Sequence, residues 1–216
     1  MAAISPASRL ITAAARERLR PLGLRHQGRS RIWIDDHGWW IGIVEFPSPR
    51  WSQGSGLTVG AMWLWWDVGH LAFDFAEQVR PTEDFRNEAQ FTSVATALAQ
   101  EAEQRVKDIR ARFVDLGTTA EALMGRPSRP GYLWEDFNAG VAAALVGQPE
   151  VARQRLDRVL GEDPIADWIQ QAHQTAHHVT GIAHDTMAVH DWAGTRITSC
   201  RKKLSLAEPP NPLTIT

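Results

Sequence analysis

The hydrophobic period of this sequence changes near Glu88, and the change limits the folds that the chain can adopt. Before that residue, apolar side chains alternate along short runs bounded by turn residues, which is typical of half-buried β-strands. After it, apolar side chains recur at intervals of three and four, which is typical of amphipathic helices. We therefore predict an α+β N-terminal domain followed by an all-helical module.

Four strands are predicted before the change of period. The run RIWIDDHGWWIGIVEF contains two of them around the turn Asp35–Gly38, where glycine can adopt the positive φ of a hairpin. The run GLTVGAMWLWW is the third strand and HLAFDF is the fourth. The short WDVG turn between them favours antiparallel pairing, so we predict a four-stranded antiparallel meander.

Two helices accompany the predicted meander. An N-terminal helix starts at the N-cap Ser5, with Pro6 at its first position, and ends at Pro21. A long amphipathic helix runs from about Glu88 to Phe113 and is predicted to cover one face of the sheet.

The segment GRPSRPG, residues 125–131, is the predicted linker because it is rich in proline and glycine. Beyond it, we predict two helices around a tight turn at Gly147 and a third helix over 165–204. The predicted organisation is an α+β domain over 1–125, a helical module over 132–207 and a loose tail over 208–216.

Two parts of the chain resemble known families. The segments LRPLGLRHQGRSRIWID, IVEF, LTVGAMWLWW, LAFDF and EAQFTSVATALAQEAEQRVKDIRARF succeed one another within residues 10–115. In this order they resemble the bacterial domain of unknown function 4304 family. The resemblance implies an α+β fold and no activity, because the family has no established activity to carry over. Residues 132–161 resemble one helical hairpin of a tetratricopeptide-like array.

The net charge of −2 conceals a basic N-terminus, since residues 1–34 contain seven arginines and one glutamate. Such a segment can contact an anionic partner such as nucleic acid, although it is more often a solvated helix face. No cluster of basic residues is interleaved with aromatic residues, which makes nucleic acid the less favoured partner.

Other features of the sequence bear on the compartment. Cys200 is the single cysteine, so the chain cannot form an internal disulfide. The first residues lack the apolar core of a signal peptide, and no apolar run approaches the length of a membrane span. We expect a cytoplasmic protein that does not enter a membrane.

Seven of the ten tryptophans fall in the predicted sheet or its loops. Trp63 and Trp65 alternate onto one face and are predicted to be core residues. Trp40 and Trp66 cannot join that face without a change of register, and Trp51 lies in a loop. These three are the candidate ligand-binding residues, for a protein partner or a small molecule, and packing within the core is the alternative.

The stretch AHQTAHHVTGIAHDTMAVHD, residues 172–191, is rich in histidine. On a single helix, His173, His177, His184 and Asp191 share one stripe, and they are the candidate metal ligands. His173 and His177 lie one turn apart and can share one ion, whereas the other two are about 10 Å and 20 Å further along. The alternatives are imidazoles that hydrogen-bond locally and a pH-responsive cluster. We expect no cofactor, but the histidines allow a divalent metal ion to bind.

The sequence contains no glycine-rich phosphate loop and no Gly-x-Ser-x-Gly motif. The leading hypothesis is therefore a non-enzymatic cytoplasmic binding or accessory protein with a Trp-lined surface. One alternative is a metal-dependent hydrolase that uses the His-rich helix. A second alternative is contact with nucleic acid through the Arg-rich N-terminus.

Overall fold

The computed structural model describes residues 5–49 and 53–207. The chain forms two compact units. The first contains the described residues up to Met62 together with Phe75–Ala111, and the second contains Trp63–Asp74 and the described residues from Arg112 onward. The chain thus leaves the first unit after Met62 and returns at Phe75. This division differs from the predicted one, which placed a single boundary in the linker 125–131.

The first unit combines two long helices with an antiparallel sheet. In chain order its elements are α1 (Pro6–Leu19), a 3-10 turn (Arg20–Leu22), β1 (Arg25–His26), β2 (Ile32–Asp36), β3 (Trp40–Glu45), β4 (Ser55–Trp63), β5 (Phe75–Glu83) and α2 (Glu88–Arg112). The strands lie in the sheet in the order in which they occur along the chain, so the sheet is a meander. The α+β class, the antiparallel sheet and both predicted helices are confirmed.

The sheet differs from the prediction at both edges. The two-residue strand β1 adds a fifth strand, which pairs with β2. The predicted fourth strand, residues 70–75, is wrong except for its last residue, because β5 begins at Phe75. Hydropathy missed β5 because FAEQVRPTE is polar and lies at the edge of the sheet, where proline is tolerated. The register against β4 shifts next to Leu57, which pairs with Arg80, the residue before Pro81.

Helix α1 begins as its sequence predicts. The Ser5 hydroxyl accepts a hydrogen bond from the Ser8 backbone N–H at 3.2 Å, and Pro6 occupies the first helical position. Gly23 has a φ of 89° and ends the 3-10 turn, a conformation that glycine adopts without strain.

Helix α2 is joined to α1 and β5 by ion pairs. Arg18 of α1 lies 3.6 Å from Glu103, and Arg80 of β5 lies 3.2 Å from Glu101. The apolar side of α2 is buried, as its spacing predicts, and consists of Phe91, Ala95, Leu98, Ala99, Ala102, Val106 and Ile109.

A buried ion pair fixes the C-terminal part of α2 against β2. The Arg110 guanidinium donates to both oxygens of Asp35, at 2.6 and 2.7 Å, and to the carbonyl oxygen of Leu22. The His37 ring nitrogen Nε2 lies 2.8 Å from the same carboxylate. Burial alone would raise the pKa of Asp35, but the hydrogen bonds from Arg110 and the nearby His37 ring outweigh burial and lower it.

The second unit is helical apart from the segment 63–74 and its loops. Its helices are α3 (Leu116–Met124), α4 (Leu133–Leu145), α5 (Pro149–Leu160), α6 (Asp167–Ile182) and α7 (Thr186–Lys203). Helix α4 is the centre of the unit, because it contacts each of the other four. The predicted hairpin is present as α4 and α5, and the turn between them contains Gly147 with a φ of 71°.

The α4–α5 pair approaches closely at Gly140. A Cβ atom at this position would lie 2.7 Å from the side chain of Leu156, so only glycine fits without displacing that side chain. Among the helices of the described residues, none is long and apolar enough to cross a bilayer.

The prediction of one helix over 165–204 is wrong. The chain breaks at Ala183–Asp185, and Asp185 caps the second helix by accepting hydrogen bonds from the backbone N–H groups of Met187 and Ala188 at 3.1 Å. An aspartate that can cap a new helix competes with continuation of the old one. The sequence signal was therefore present in HDTMA.

We expect Asp35→Ala to destabilise the protein by about 1–3 kcal/mol, because it leaves the partly buried Arg110 guanidinium without its carboxylate. The free energy of unfolding, from urea denaturation, measures this loss. The matched control is Arg105→Gln, which removes three longer surface ion pairs and should change stability by about 0.5 kcal/mol or less. Equal effects of the two substitutions would contradict this account of the first unit.

Candidate functional site

Two of the three candidate tryptophans lie inside the protein. Trp40 is 2% exposed, and its ring stacks on His37 at a centroid distance of 4.1 Å. Trp66 is also buried, against Trp134 and Phe137 at 4.7 and 5.3 Å. A ligand cannot reach either ring without a change in packing, so their binding role stays a prediction. Trp51 lies outside the described residues.

An exposed aromatic surface occurs instead where α4 and α6 begin. Trp168 is 46% exposed and stacks on the half-buried Trp134, with ring centroids 5.6 Å apart and planes inclined by 25°. Ile165 is 87% exposed and Tyr132 is 53% exposed. We call these four residues the aromatic patch.

The starts of α4 and α6 lie side by side, which brings the aromatic patch together. The Gly131 backbone N–H donates to the Glu162 carboxylate at 3.3 Å, so the loops before the two helices are in contact. The Trp134 ring connects the surface to the interior, because it contacts Trp168 on one side and the buried Trp66 and Phe137 on the other. Trp168 is therefore exposed and yet fixed by packing.

Sequence reasoning missed this patch because it placed Ile165 and Trp168 within one continuous helix over 165–204. Helix α6 begins only at Asp167, so Ile165 precedes the helix and does not follow its period. Trp168 lies in the first turn, where one side faces solvent. The acidic residues within EDPIAD were the available signal, because charge around an apolar residue favours exposure.

The candidate metal ligands are divided between three elements. His173 and His177 lie on α6, His184 lies in the turn, and Asp191 lies on α7. All except the half-buried His173 are exposed, and Nε2 of His173 is buried without a hydrogen-bond partner among the described residues. Within residues 5–49 and 53–207, no three His, Cys, Asp or Glu side chains are placed to bind one metal ion. Metal binding therefore stays a prediction that rests on the sequence.

The second unit contains a buried polar network around the segment 63–74. The Asp74 carboxylate accepts a hydrogen bond from the Trp63 backbone N–H at 2.7 Å and another from the Asn138 amide. The side-chain oxygen Oδ1 of Asn138 in turn accepts a hydrogen bond from the Trp65 indole N–H at 2.8 Å. Burial of the carboxyl group raises the pKa of Asp74 to about 7, although both hydrogen bonds act in the opposite direction.

Side chains of helix α7 also hydrogen-bond to the backbone of the segment 63–74. Arg196 donates to the Trp65 carbonyl oxygen at 3.2 Å, and the Cys200 thiol donates to that of Val68 at 3.4 Å. The Arg196 guanidinium also lies over the rings of Trp66 and Trp192, at 5.9 and 5.7 Å. Burial raises the pKa of Cys200, which disfavours a reactive thiolate. These contacts explain why residues 63–74 belong to the helical unit.

Six of the seven N-terminal arginines divide into two groups, and the seventh, Arg31, is half-buried and donates to the Ser8 hydroxyl and the Gly54 carbonyl oxygen. Arg9 and Arg18 form ion pairs with Glu88 and Glu103 of α2, so these arginines serve the fold. Four others are exposed and make no ion pair with a described residue: Arg16, Arg20, Arg25 and Arg29. Nucleic-acid contact through this segment stays a prediction.

Comparison with known proteins gives no relative from which to transfer a function. No protein-family model, no curated protein and no solved structure matches the chain. The resemblance of residues 10–115 to the bacterial domain of unknown function 4304 family therefore stays a prediction.

Asp74 should make stability depend on pH. With a pKa of about 7, folded Asp74 keeps a proton that the unfolded chain loses near pH 4, so its contribution to stability is complete below about pH 4 and is lost as the pH rises through 7. Between about pH 5 and pH 8, we expect the wild type to lose about 1–3 kcal/mol of unfolding free energy relative to Asp74→Asn. Urea denaturation at both values measures the difference, and Asp191→Asn is the exposed control. Parallel pH profiles for the wild type and Asp74→Asn would contradict the assignment.

The separation of the histidines predicts that zinc does not stabilise the protein. We expect zinc to leave the melting temperature of each protein unchanged, for the wild type, His173→Ala and His177→Ala alike, because no third metal-binding side chain among the described residues joins the pair on α6. A rise in the wild type that both variants lose would show that α6 contributes to a metal site.

Proposed function

We propose that this chain is a non-enzymatic, cytoplasmic binding or accessory protein whose second unit docks a partner protein through the aromatic patch. The observation that carries the proposal is the exposure of Trp168, stacked on Trp134 at the surface. Large exposed apolar side chains next to one another mark interaction sites on folded proteins. Tryptophan is also the residue type most enriched among those that dominate binding energy.

The packing of Trp168 favours binding over incidental exposure. The ring is fixed by Trp134, which packs in turn on Phe137 and Trp66. A side chain that is already ordered loses little conformational entropy when a partner covers it. Ile165 and Tyr132 are also exposed and add to the apolar area that a partner would bury.

The shifted pKa values of Asp35 and Asp74 have structural causes in the fold. Asp35 belongs to the ion pair that joins α2 to the sheet, and Asp74 belongs to the network that attaches residues 63–74. Each of these shifts has a structural cause in the fold, so neither requires a catalytic explanation.

The proposal is tested with the full-length protein and two surface variants. Trp168→Ser removes the central ring, and Ile165→Ser removes an exposed side chain while the Trp168–Trp134 stack stays in place. Met187→Ser is the matched control, because Met187 is also exposed and apolar but lies at the start of α7. Proteins retained from a cell extract are identified, purified and titrated against each variant.

We expect one purified partner to bind the wild type and Met187→Ser equally. It should bind Ile165→Ser about tenfold more weakly and Trp168→Ser roughly thirtyfold more weakly or worse. Circular dichroism and melting temperature check that the variants are folded. If every purified partner binds all four proteins alike, the aromatic patch is not the docking surface.

A further inference from the structure

The aromatic patch is accompanied by acidic side chains that have no partner of opposite charge. Glu162, Asp163 and Asp167 lie within one short stretch that also contains Ile165 and Trp168. None of the three forms an ion pair with any residue in the described ranges 5–49 and 53–207. Asp163 and Asp167 are exposed, so their charges are available to a bound molecule, whereas Glu162 is half-buried and accepts a hydrogen bond from Gly131.

The arginines that precede α4 are already engaged by other carboxylates. Arg126 and Arg129 both bind Glu135, the first at 2.8 Å. Arg129 also lies over the ring of Tyr132 at 3.9 Å. The acidic stretch therefore stays uncompensated by its arginine-rich neighbours.

Two arginines of α5 are engaged in the same way. Arg155 and Arg158 bind Asp136, at 2.8 and 3.6 Å, and Arg155 also donates to the carbonyl oxygens of Met124 and Arg126. The second unit as a whole contains fourteen acidic and ten basic residues, so its net charge is −4.

The favourable effect of negative charge at a helix N-terminus accounts for only one residue of the acidic stretch. Asp167 is in the first turn of α6, where a negative charge stabilises the helix. Asp163 precedes the helix by four residues and gains nothing from that effect. Its side chain is exposed beside Ile165, which suits electrostatic contact with a partner more than support of the fold.

We infer that the partner docks on the aromatic patch with a positively charged segment in which arginine or lysine alternates with apolar side chains. The inference rests on the proposed function and adds the chemistry of the partner. Apolar side chains would cover Ile165 and Trp168, and basic side chains would pair with Asp163 and Asp167. An arginine suits both surfaces, because its guanidinium stacks on indole and binds carboxylates.

The probe is a short fluorescein-labelled peptide of alternating arginine and leucine, titrated into the full-length protein and followed by anisotropy. Two counterparts are compared with it: one with glutamate in place of every arginine, and one with serine in place of every leucine. We expect the arginine–leucine peptide to bind most tightly and the glutamate peptide not to bind. Added salt should weaken the binding, because the charged groups are exposed.

Two double variants separate local charge from net charge. Asp163→Asn/Asp167→Asn removes two charges beside the patch, and Glu121→Gln/Glu150→Gln removes two exposed charges elsewhere in the same unit. We expect the first pair to weaken binding of the arginine–leucine peptide roughly three- to tenfold and the second to leave it unchanged. Failure of this peptide to bind, equal binding of the glutamate peptide, or equal losses in both double variants would overturn the inference.

The outcomes also separate this inference from the proposed function. A purified partner that loses affinity for Trp168→Ser but binds Asp163→Asn/Asp167→Asn normally would leave the docking surface in place and overturn its preference for positive charge. A partner that binds Trp168→Ser and Asp163→Asn/Asp167→Asn as tightly as it binds the wild type would overturn the proposed function and this inference together.

Discussion

The second unit depends on one helix that is buried on almost every side. Helix α4 contacts the four other helices, and its close approach to α5 is possible because position 140 is a glycine. A helix in this position must satisfy each polar side chain internally. Asn138 does so through Trp65 and Asp74, and Asp136 does so through Arg155. The same requirement explains why the segment 63–74 packs with the helices.

The position of the aromatic patch depends on the packing of α4. Trp134 lies at the start of α4, so the packing of that helix fixes its ring, and the ring in turn supports Trp168. The chain thus presents a large apolar side chain to solvent in one orientation, next to acidic groups that form no ion pair within the described part of the chain. A preorganised apolar centre with a charged surround is the arrangement of protein-binding surfaces.

Local patterns in the sequence predicted most of the elements, and long-range contacts decided the rest. The strands β2–β4, the N-cap of α1 and the hairpin around Gly147 follow from alternation, capping and turn residues. The polar strand β5 did not, because pairing with β4 and not hydropathy determines it. The aromatic patch was missed because the exposure of Trp168 depends on where α6 begins relative to α4, and a helical period does not contain that information.

The central claim is that a partner covers the aromatic patch, and photo-crosslinking in living cells tests it most directly. A benzophenone amino acid at position 165 would stand at the most exposed apolar position of the patch, and the same amino acid at position 187 is the control. The account predicts one dominant protein cross-linked from position 165 and absent from position 187, attached through a segment that contains arginine or lysine. The same cross-linked products from both positions, or none from position 165, would contradict it.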